Sequence, residues 1–272
     1  MSINQNSIIN YSAFNKDCKN IFLNNKPFPF IVLDNFLNIN FFNDVTNSIS
    51  NNTTQLNKKF NTSLEKKSIS LNSQIPSLVK DLVAELSSDK WVAFIKELTG
   101  MQDIFPADID NTKLANFHVM TGGGYLGPHV DHSQDPKTNL PHVLNIIVYL
   151  SKAWRDDFKG ATLFFDKYGK KVINKANYKP NRAVIFLHTP YTFHGVERIP
   201  ENIKSERAIV YLDYYSKSLD PYKHINLDFK NHWFKHGTTF VFDKFIDYLK
   251  FKNIPYLKSY LRYKISKLIS IN

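Results

Sequence analysis

Between Leu114 and Ser216 the sequence consists of short β-rich segments, and this run limits the possible folds more than any other property. Gly, Pro, Asn and Asp, which favour turns, bound each segment, and no helical periodicity separates one segment from the next. The predicted strands are 114–121, 125–131, 142–151, 161–168, 182–188, 193–199 and 206–215. Because parallel strands need long crossovers, usually helical, this spacing predicts an antiparallel sandwich or barrel.

Helical patterns flank the β-rich region on both sides. Apolar residues at helical spacing predict helices over 39–49, 76–86, 90–98, 240–251 and 255–271. Residues 47–74 are rich in Asn, Ser, Thr and Lys, which is typical of a long loop. Such a loop is either a substrate lid or a disordered segment, and the sequence leaves both open. Residues 1–25 are polar and are expected to be irregular, ahead of a strand at 28–34.

Composition narrows the chemistry that the chain can carry. The 272 residues include one cysteine, Cys18, which excludes an intramolecular disulfide framework and any cysteine-based metal site. A metal site must therefore use histidines and carboxylates. The sequence shows no secretory signal, and its longest apolar stretch, 143–150, is too short to span a bilayer, so we expect a cytoplasmic protein.

The net charge of +11 fits phosphate groups, a membrane surface or acidic substrates, and it fits a compositional bias of the source genome equally well. No nucleic-acid reading module is recognisable, and we expect no nucleic-acid partner.

One motif points to a metal. His129 and Asp131 lie two residues apart on a predicted strand, so both side chains point to the same face. A second histidine would complete a set of two histidines and one carboxylate, which suits non-haem Fe(II) oxygenases. His194, 63 residues after Asp131 and on another predicted strand, is the natural candidate. The remaining histidines are interpreted as ordinary surface or core residues.

A buried cation is expected near this motif. Arg207 follows His194 by 13 residues and lies on the next predicted strand. Its guanidinium could bind a carboxylate in a bidentate manner inside a barrel, which a lysine would do less well.

Together these residues resemble the iron(II)- and 2-oxoglutarate-dependent dioxygenases of the prolyl 4-hydroxylase-like group. That group has His-x-Asp, a long gap, a histidine, and a basic residue about a dozen positions later. The resemblance covers about residues 26–216. Its other motifs are the strand Lys26 to Leu37, the "YL" strand Leu144 to Leu150, Trp154 with Lys159 to Phe165, and Asn181 to Phe186.

The resemblance implies a mainly β protein with flanking helices, a double-stranded β-helix or jelly roll. It implies Fe(II) held by His129, Asp131 and His194, with 2-oxoglutarate and O2 as co-substrates and Arg207 binding the far carboxylate. The expected reaction hydroxylates a C–H bond while 2-oxoglutarate is converted to succinate and CO2. Ascorbate as a reductant is left open. The substrate class, whether a small molecule, a glycan or a peptidyl residue, is not encoded in any motif that we can read, nor is the oligomeric state.

The chain departs from the family pattern in three places. The usual Gly-Gly is Lys159-Gly160, and the "YLN" tripeptide ends in Ser151. Family members often use a tyrosine upstream of His-x-Asp to contact the co-substrate; this chain has Asn116 and His118 in that stretch, and either is a candidate for the contact.

Two further interpretations remain. The first is a catalytically silent jelly-roll binding module, against which the intact set of metal-binding residues argues. The second concerns residues 255–272, which combine basic side chains with an apolar helical face formed by Leu257, Leu261, Ile265 and Leu268. That face is expected to pack on the barrel, with peripheral contact to the inner membrane face as the alternative. The chain therefore divides into a polar segment (1–25), a dioxygenase domain (26–216) and a helical extension packed on the barrel (217–272).

Overall fold

The computed structural model describes residues 7–50, 58–71, 75–108, 114–223, 225–227, 233–241 and 254–270. Its α-helices are α1 (Cys18–Asn24), α2 (Ile39–Ser50), α3 (Ser77–Glu85), α4 (Asp89–Thr99) and α5 (Ile254–Ile269). Its first strands are β1 (Phe30–Asp34), β2 (Lys58–Asn61), β3 (Glu65–Leu71), β4 (Ile104–Pro106), β5 (Leu114–Met120) and β6 (Tyr125–Val130). The later strands are β7 (His142–Tyr149), β8 (Thr162–Phe165), β9 (Val172–Ala176), β10 (Arg182–Leu187), β11 (His194–Val196), β12 (Arg207–Ser216) and β13 (Thr239–Phe240).

These strands pair antiparallel in one continuous sheet that folds back on itself. The order is β1-β10-β7-β12-β5-β3-β6-β11-β8-β9, with β2 added to β3, β4 to β12 and β13 to β6. Strand β3 joins the two halves, because Ser68 and Ile69 pair with β5 while Glu65 and Lys66 pair with β6. The two layers so formed are those of a jelly roll, and the antiparallel barrel expected from the sequence is confirmed.

Side-chain alternation on the central strands separates the inside of the barrel from its outside. On β7, Leu144, Ile146 and Val148 belong to the large core on the outer face, which also holds buried residues of α2, α3 and α4. The alternate residues Asn145 and Ile147 face the interior of the barrel. On β12 the residues that face the interior are Arg207, Ile209, Tyr211 and Asp213. Because both faces are covered, strand β7 is apolar almost throughout, and Asn145 within it faces the interior.

The helices anchor the outer layer. In α4 the side chain of Ser88 accepts a hydrogen bond from the amide of Trp91, and Gly100 ends the helix with a left-handed φ of 78°. The Trp91 indole donates to the hydroxyl of Tyr214 at 2.7 Å, and that hydroxyl donates to the carbonyl of Leu86 at 2.7 Å. The helix predicted over 90–98 is confirmed.

Two expectations from the sequence are wrong, and one strand was missed. Residues 58–71 are not loop but the hairpin of β2 and β3, and helix α2 continues to Ser50; residues 51–57 and 72–74 lie outside the described part. The segment 1–25 is not irregular throughout, because α1 forms and the side chains of Ile9, Cys18 and Phe22 are buried in the main core. Strand β9 was not predicted, because four of its five residues are exposed.

The C-terminal region differs from expectation as well. The helix expected at 240–251 lies mostly outside the described residues, and Phe240 itself belongs to strand β13. Helix α5 forms, yet it contacts the barrel through Tyr263, which is buried and donates to the carbonyl of Pro190 at 2.6 Å. Leu261, Ile265 and Leu268 are 48%, 56% and 67% exposed, so the predicted apolar face points away from the barrel. Among the described helices, none has the length and apolar character that crossing a membrane demands.

Candidate metal and co-substrate site

Two neighbouring strands bring the predicted metal-binding residues together. His129 on β6 and His194 on β11 are direct cross-strand partners, and Asp131 lies one residue beyond the end of β6. The His129 Nε2 lies 3.4 Å from Asp131 Oδ1, and the His194 Nε2 lies 3.3 Å from Asp131 Oδ2. The three residues each offer one potential ligand atom, and these three atoms all lie within 4.8 Å of one another. The spacing of His129 and Asp131 on one face, as predicted, makes this convergence possible.

Backbone carbonyls fix the orientation of both imidazoles. The Nδ1 of His129 lies 2.9 Å from the carbonyl of Gly127, and the Nδ1 of His194 lies 3.2 Å from the carbonyl of Thr192. Since a carbonyl only accepts hydrogen bonds, each Nδ1 carries the proton, and in the neutral ring each Nε2 presents its lone pair toward Asp131.

Burial controls the charge state of this group. His129 and His194 are 4% and 5% exposed. Burial, reinforced by the charge of His194, lowers the pKa of His129, which favours the neutral ring that a metal requires. Burial alone would raise the pKa of Asp131, but its interactions with His194 and His129 outweigh burial and hold this pKa well below its usual value. Asp131 is therefore an ionised carboxylate between two imidazoles.

Arg207 lies at the closed end of the interior. It is 1% exposed, and its Nε donates to the carbonyl of Gly160 at 2.7 Å. The guanidinium carbon lies 5.3 Å and 4.9 Å from the ring centroids of Tyr149 and Tyr178, and burial lowers its pKa. Its Nη2 is buried without a hydrogen-bond partner, so a donor of this cation is available to an anion in the cavity.

The two candidates for the remaining co-substrate contact differ. His118 lines the same cavity, its ring centroid lies 4.7 Å from that of Tyr211, and its Nε2 is buried without a hydrogen-bond partner. Burial, with the charges of Lys67 and Arg207, holds the pKa of His118 well below its usual value, so the ring is neutral. Asn116 lies on β5, but its side chain is outside the described part of the structure.

A cavity of about 420 Å³, a size usual for ligand sites, connects these groups. Several of its polar lining residues were not singled out from the sequence: Glu65, Lys67, Asn145, Thr162, Asp213 and Thr238. Two of them had a readable signal. Asn145 is the polar residue that interrupts the longest apolar stretch. Asp213 lies six residues after Arg207 on the same predicted strand, so the two side chains share one face of that strand. Glu65 and Lys67, whose ion pair spans 2.9 Å, belong to the hairpin that was interpreted as loop.

The side chains of His129, Asp131 and His194 offer ligand atoms that suit a divalent first-row metal ion. Two neutral imidazole nitrogens and one carboxylate are the protein ligands of non-haem Fe(II) sites, and they leave coordination positions for other molecules. A cation with an unpaired donor at the closed end of the same cavity complements a carboxylate that reaches inward from such a metal.

Comparisons with known proteins agree with this geometry. Residues 115–212 match the family model of the 2OG-Fe(II) oxygenase superfamily. A prolyl hydroxylase from Trichoplax adhaerens, solved with a peptide fragment of the hypoxia inducible factor oxygen degradation domain, aligns with a TM-score of 0.52 at 15% identity, over 73% of this chain and 89% of that one. It shows the shared fold. Curated proteins yield no sequence match.

Two further solved structures align less closely. A prolyl-4-hydroxylase from Pseudomonas putida has a TM-score of 0.49 at 13% identity, over 70% of this chain and 93% of that one. HygX from Streptomyces hygroscopicus, solved with nickel and 2-oxoglutarate, has a TM-score of 0.49 at 10% identity, over 83% and 98%.

Over residues 115–212 the chain is thus similar to the 2OG-Fe(II) oxygenases. The match confirms the predicted resemblance to Fe(II)- and 2-oxoglutarate-dependent oxygenases, and the protein is a 2-oxoglutarate-dependent dioxygenase that uses Fe(II), 2-oxoglutarate and O2. The predicted jelly-roll fold is confirmed as well.

Proposed function

We propose that His129, Asp131 and His194 hold Fe(II), that Arg207 anchors 2-oxoglutarate, and that the protein hydroxylates a C–H bond of its substrate. The observation that carries this proposal is the convergence of two Nε2 lone pairs on an ionised carboxylate within a ligand-sized cavity. When bound, the metal supplies the activation of O2 and the oxidation of the substrate.

The residues around the metal position and protect the reactants. The unpaired Nη2 of Arg207 donates to the far carboxylate of the co-substrate, and the neighbouring hydroxyls of Tyr149 and Thr162, 2.6 Å apart, offer further polar contacts at this end. His118, neutral and unpaired at Nε2, offers one more hydrogen bond. The Phe240 ring stacks on His129 with centroids 5.1 Å apart and limits the access of water.

The co-substrate site is tested under anaerobic conditions. Fe(II) and 2-oxoglutarate added to the metal-free protein should give the weak visible charge-transfer band of a bidentate keto acid on Fe(II). His129→Ala should abolish the band, Arg207→Ala should require far more 2-oxoglutarate, and Arg198→Ala, which removes a half-exposed arginine, should change neither. A folded, iron-loaded protein that gives no band would refute the proposal.

Hydroxylation is tested by its stoichiometry. Candidate small molecules, glycans and peptides are scored by succinate release above the rate without substrate, and by a product mass increased by one oxygen atom. Desaturation would release succinate without that oxygen. A product lacking the added oxygen would refute hydroxylation while leaving the proposed metal and co-substrate residues intact.

A second proposal concerns helix α5. Its exposed stripe of Leu261, Ile265 and Leu268, 48–67% exposed, is accompanied by the exposed cations Lys258, Arg262 and Lys264. We infer that this face contacts an anionic membrane surface, because apolar burial and charge attraction then act together. Vesicles containing phosphatidylserine should bind the protein, whereas Leu261→Ser/Ile265→Ser should weaken binding and neutral vesicles should bind less. Equal binding by the variant would refute the contact. A cytoplasmic location stays a prediction.

A further inference from the structure

A second group of metal-ligating side chains lies at the open end of the cavity. The His132 Nε2 lies 3.9 Å from Asp213 Oδ2, and the His142 Nε2 lies 3.7 Å from Asp213 Oδ1. One ligand atom from each of the three residues lies within 4.8 Å of the others, the same criterion that the first group meets. The two groups share no residue, so one ion cannot account for both.

The hydrogen bonding of His142 leaves a lone pair without a partner. Its Nδ1 lies 2.9 Å from the carbonyl of His132, so Nδ1 carries the proton and the neutral ring has its lone pair on Nε2. The side chain is fully buried, and this Nε2 has no hydrogen-bond partner. The nearest charged group is the Asp213 carboxylate, which is itself an acceptor. A buried acceptor facing a carboxylate is unfavourable unless a cation lies between them.

We propose that His132, His142 and Asp213 bind a second divalent first-row ion, with Zn²⁺ as the representative case. Two imidazole nitrogens and one carboxylate oxygen are ligands that Zn²⁺ accepts, whereas Mg²⁺ and Ca²⁺ prefer oxygen ligands only. The Nε2 of His132 contacts the hydroxyl of Tyr215 at 3.1 Å, and this hydrogen bond gives way when the nitrogen binds a metal.

The group is accessible to an ion. The side chain of His132 is 35% exposed, and both His132 and Asp213 line the cavity. An ion therefore reaches the three ligands from the open end of the barrel, without displacing the buried His142.

Asn145 connects the second group to the first. Its Nδ2 donates to Asp131 Oδ2 at 3.1 Å and to Asp213 Oδ1 at 3.3 Å. The amide therefore holds one carboxylate from each group, and an ion on Asp213 fixes the orientation of Asn145 and, through it, of Asp131.

The test counts metal ions in the full-length protein. After equilibrium dialysis against Zn²⁺, elemental analysis should give two ions per chain for the wild type and one for His129→Ala. His132→Asn should also give one, and the double variant should give none. Cobalt substitution gives a second readout, because the visible spectrum of Co(II) at the second site should vanish in His132→Asn and persist in His129→Ala.

The control is His236→Asn, which removes another buried histidine of the same layer that is not part of the ligand group. It should retain two ions. His132 is partly exposed, so its replacement tests the site without the risk of unfolding that His142 carries; Asp213→Asn gives an independent check. A wild-type count of one ion that persists in His132→Asn, or a count of two that survives both His132→Asn and Asp213→Asn, would overturn the proposal. A count of one lost with His132→Asn but kept in His129→Ala would support this site and refute the proposed iron site.

Discussion

The two ends of strand β12 differ sharply although they belong to the same inner face of one strand. At the closed end Arg207 is 1% exposed, lies against the rings of Tyr149 and Tyr178, and keeps an unpaired nitrogen toward the cavity. Six residues later, about 20 Å along the strand, Asp213 faces histidines at the open end. The cavity is thus cationic where it is closed and carries a carboxylate with imidazoles where it is open.

This polarity explains how two reactants can be kept apart. A dicarboxylate is attracted to the closed end, where the only compensation for a desolvated guanidinium among the described side chains comes from aromatic faces and one carbonyl. The open end, by contrast, has the carboxyl groups of Asp131 and Asp213 and offers a poor site for an anion. With Arg207 as the proposed anchor of 2-oxoglutarate, the order of polar groups along one strand would select which end each reactant occupies.

The largest effect on 2-oxoglutarate binding is expected at the closed end. Arg207→Met, which fills much of the volume without the charge, should weaken 2-oxoglutarate binding by a factor of roughly 30 or more, corresponding to a loss of about 2 kcal/mol or more for an unpaired buried charge. The affinity of Arg207→Lys for 2-oxoglutarate should lie between those of the wild type and Arg207→Met, because lysine keeps the charge but lacks the planar pair of donors of a guanidinium. The measurement is anaerobic titration of the charge-transfer band with 2-oxoglutarate.

Asp213→Asn at the open end is the matching comparison. It should leave the affinity for 2-oxoglutarate within about twofold, since the two residues lie about 20 Å apart and screening weakens the interaction at that distance. If Arg207→Met and Asp213→Asn lost the same affinity for 2-oxoglutarate, the co-substrate would not bind preferentially at the closed end.

Acid should destabilise the open end. Burial lowers the pKa of His236 to about 4, whereas the unfolded chain titrates near 6.5. Between these values the unfolded state binds more protons, so stability is fully present above pH 6.5 and is lost as the pH falls toward 4. The loss from this residue is about 3 kcal/mol.

Chemical denaturation of the metal-free protein between pH 7 and pH 4 measures this loss. His236→Asn should give a shallower pH dependence than the wild type, because the titrating group is gone. Arg207→Met should keep the wild-type slope, because the guanidinium does not titrate in this range. Parallel slopes for the wild type and His236→Asn would contradict the assignment of the effect to His236.

The residues that could be predicted from the sequence are those whose position follows from local spacing. His129 and Asp131 share a face because they are two residues apart on a strand, and the β-rich run fixed the layer type before any contact was known. The family resemblance then linked them to His194 and Arg207, which are distant in sequence.

The residues that were missed depend on pairing between distant segments. The β2–β3 hairpin is mostly polar, and among its described side chains Leu64 and Ile69 are the buried apolar ones, so its composition resembles a loop. It forms a strand because β5 and β6, about fifty residues later, supply its partners. Helix α5 was predicted, but the choice of Tyr263 rather than Leu261 as the contact depends on the shape of the barrel surface.

A change in metal affinity is expected where the two groups of metal-binding side chains meet. Asn145→Ala removes the amide that holds Asp131 and Asp213, and loss of such a supporting hydrogen bond typically lowers metal affinity by about 10- to 100-fold. Competition with a chelator measures the affinity of the metal-free protein for Fe(II). Asn174→Ala, at an exposed amide on β9, should have no effect. Unchanged affinity in Asn145→Ala would mean that Asp131 is held in place by the imidazoles alone.

The smallest effect separates backbone strain from close packing at the closed end. Gly160 and Gly100 have nearly the same φ, 77° and 78°, so alanine at either position costs about 1 kcal/mol in strain. A Cβ on Gly160 would lie 3.1 Å from Arg207 Cδ and 3.3 Å from Trp154 Cζ2, whereas a Cβ on Gly100 would have no neighbour within 4 Å among the described atoms.

Both variants should therefore lose similar unfolding free energy from strain, but Gly160→Ala should also displace Arg207 and weaken 2-oxoglutarate binding severalfold. If Gly100→Ala weakened binding equally, the effect would come from general destabilisation. If neither variant weakened 2-oxoglutarate binding, the Arg207 side chain would be free enough to accommodate the added methyl group. Its hydrogen bond to the Gly160 carbonyl would then not be what positions the guanidinium.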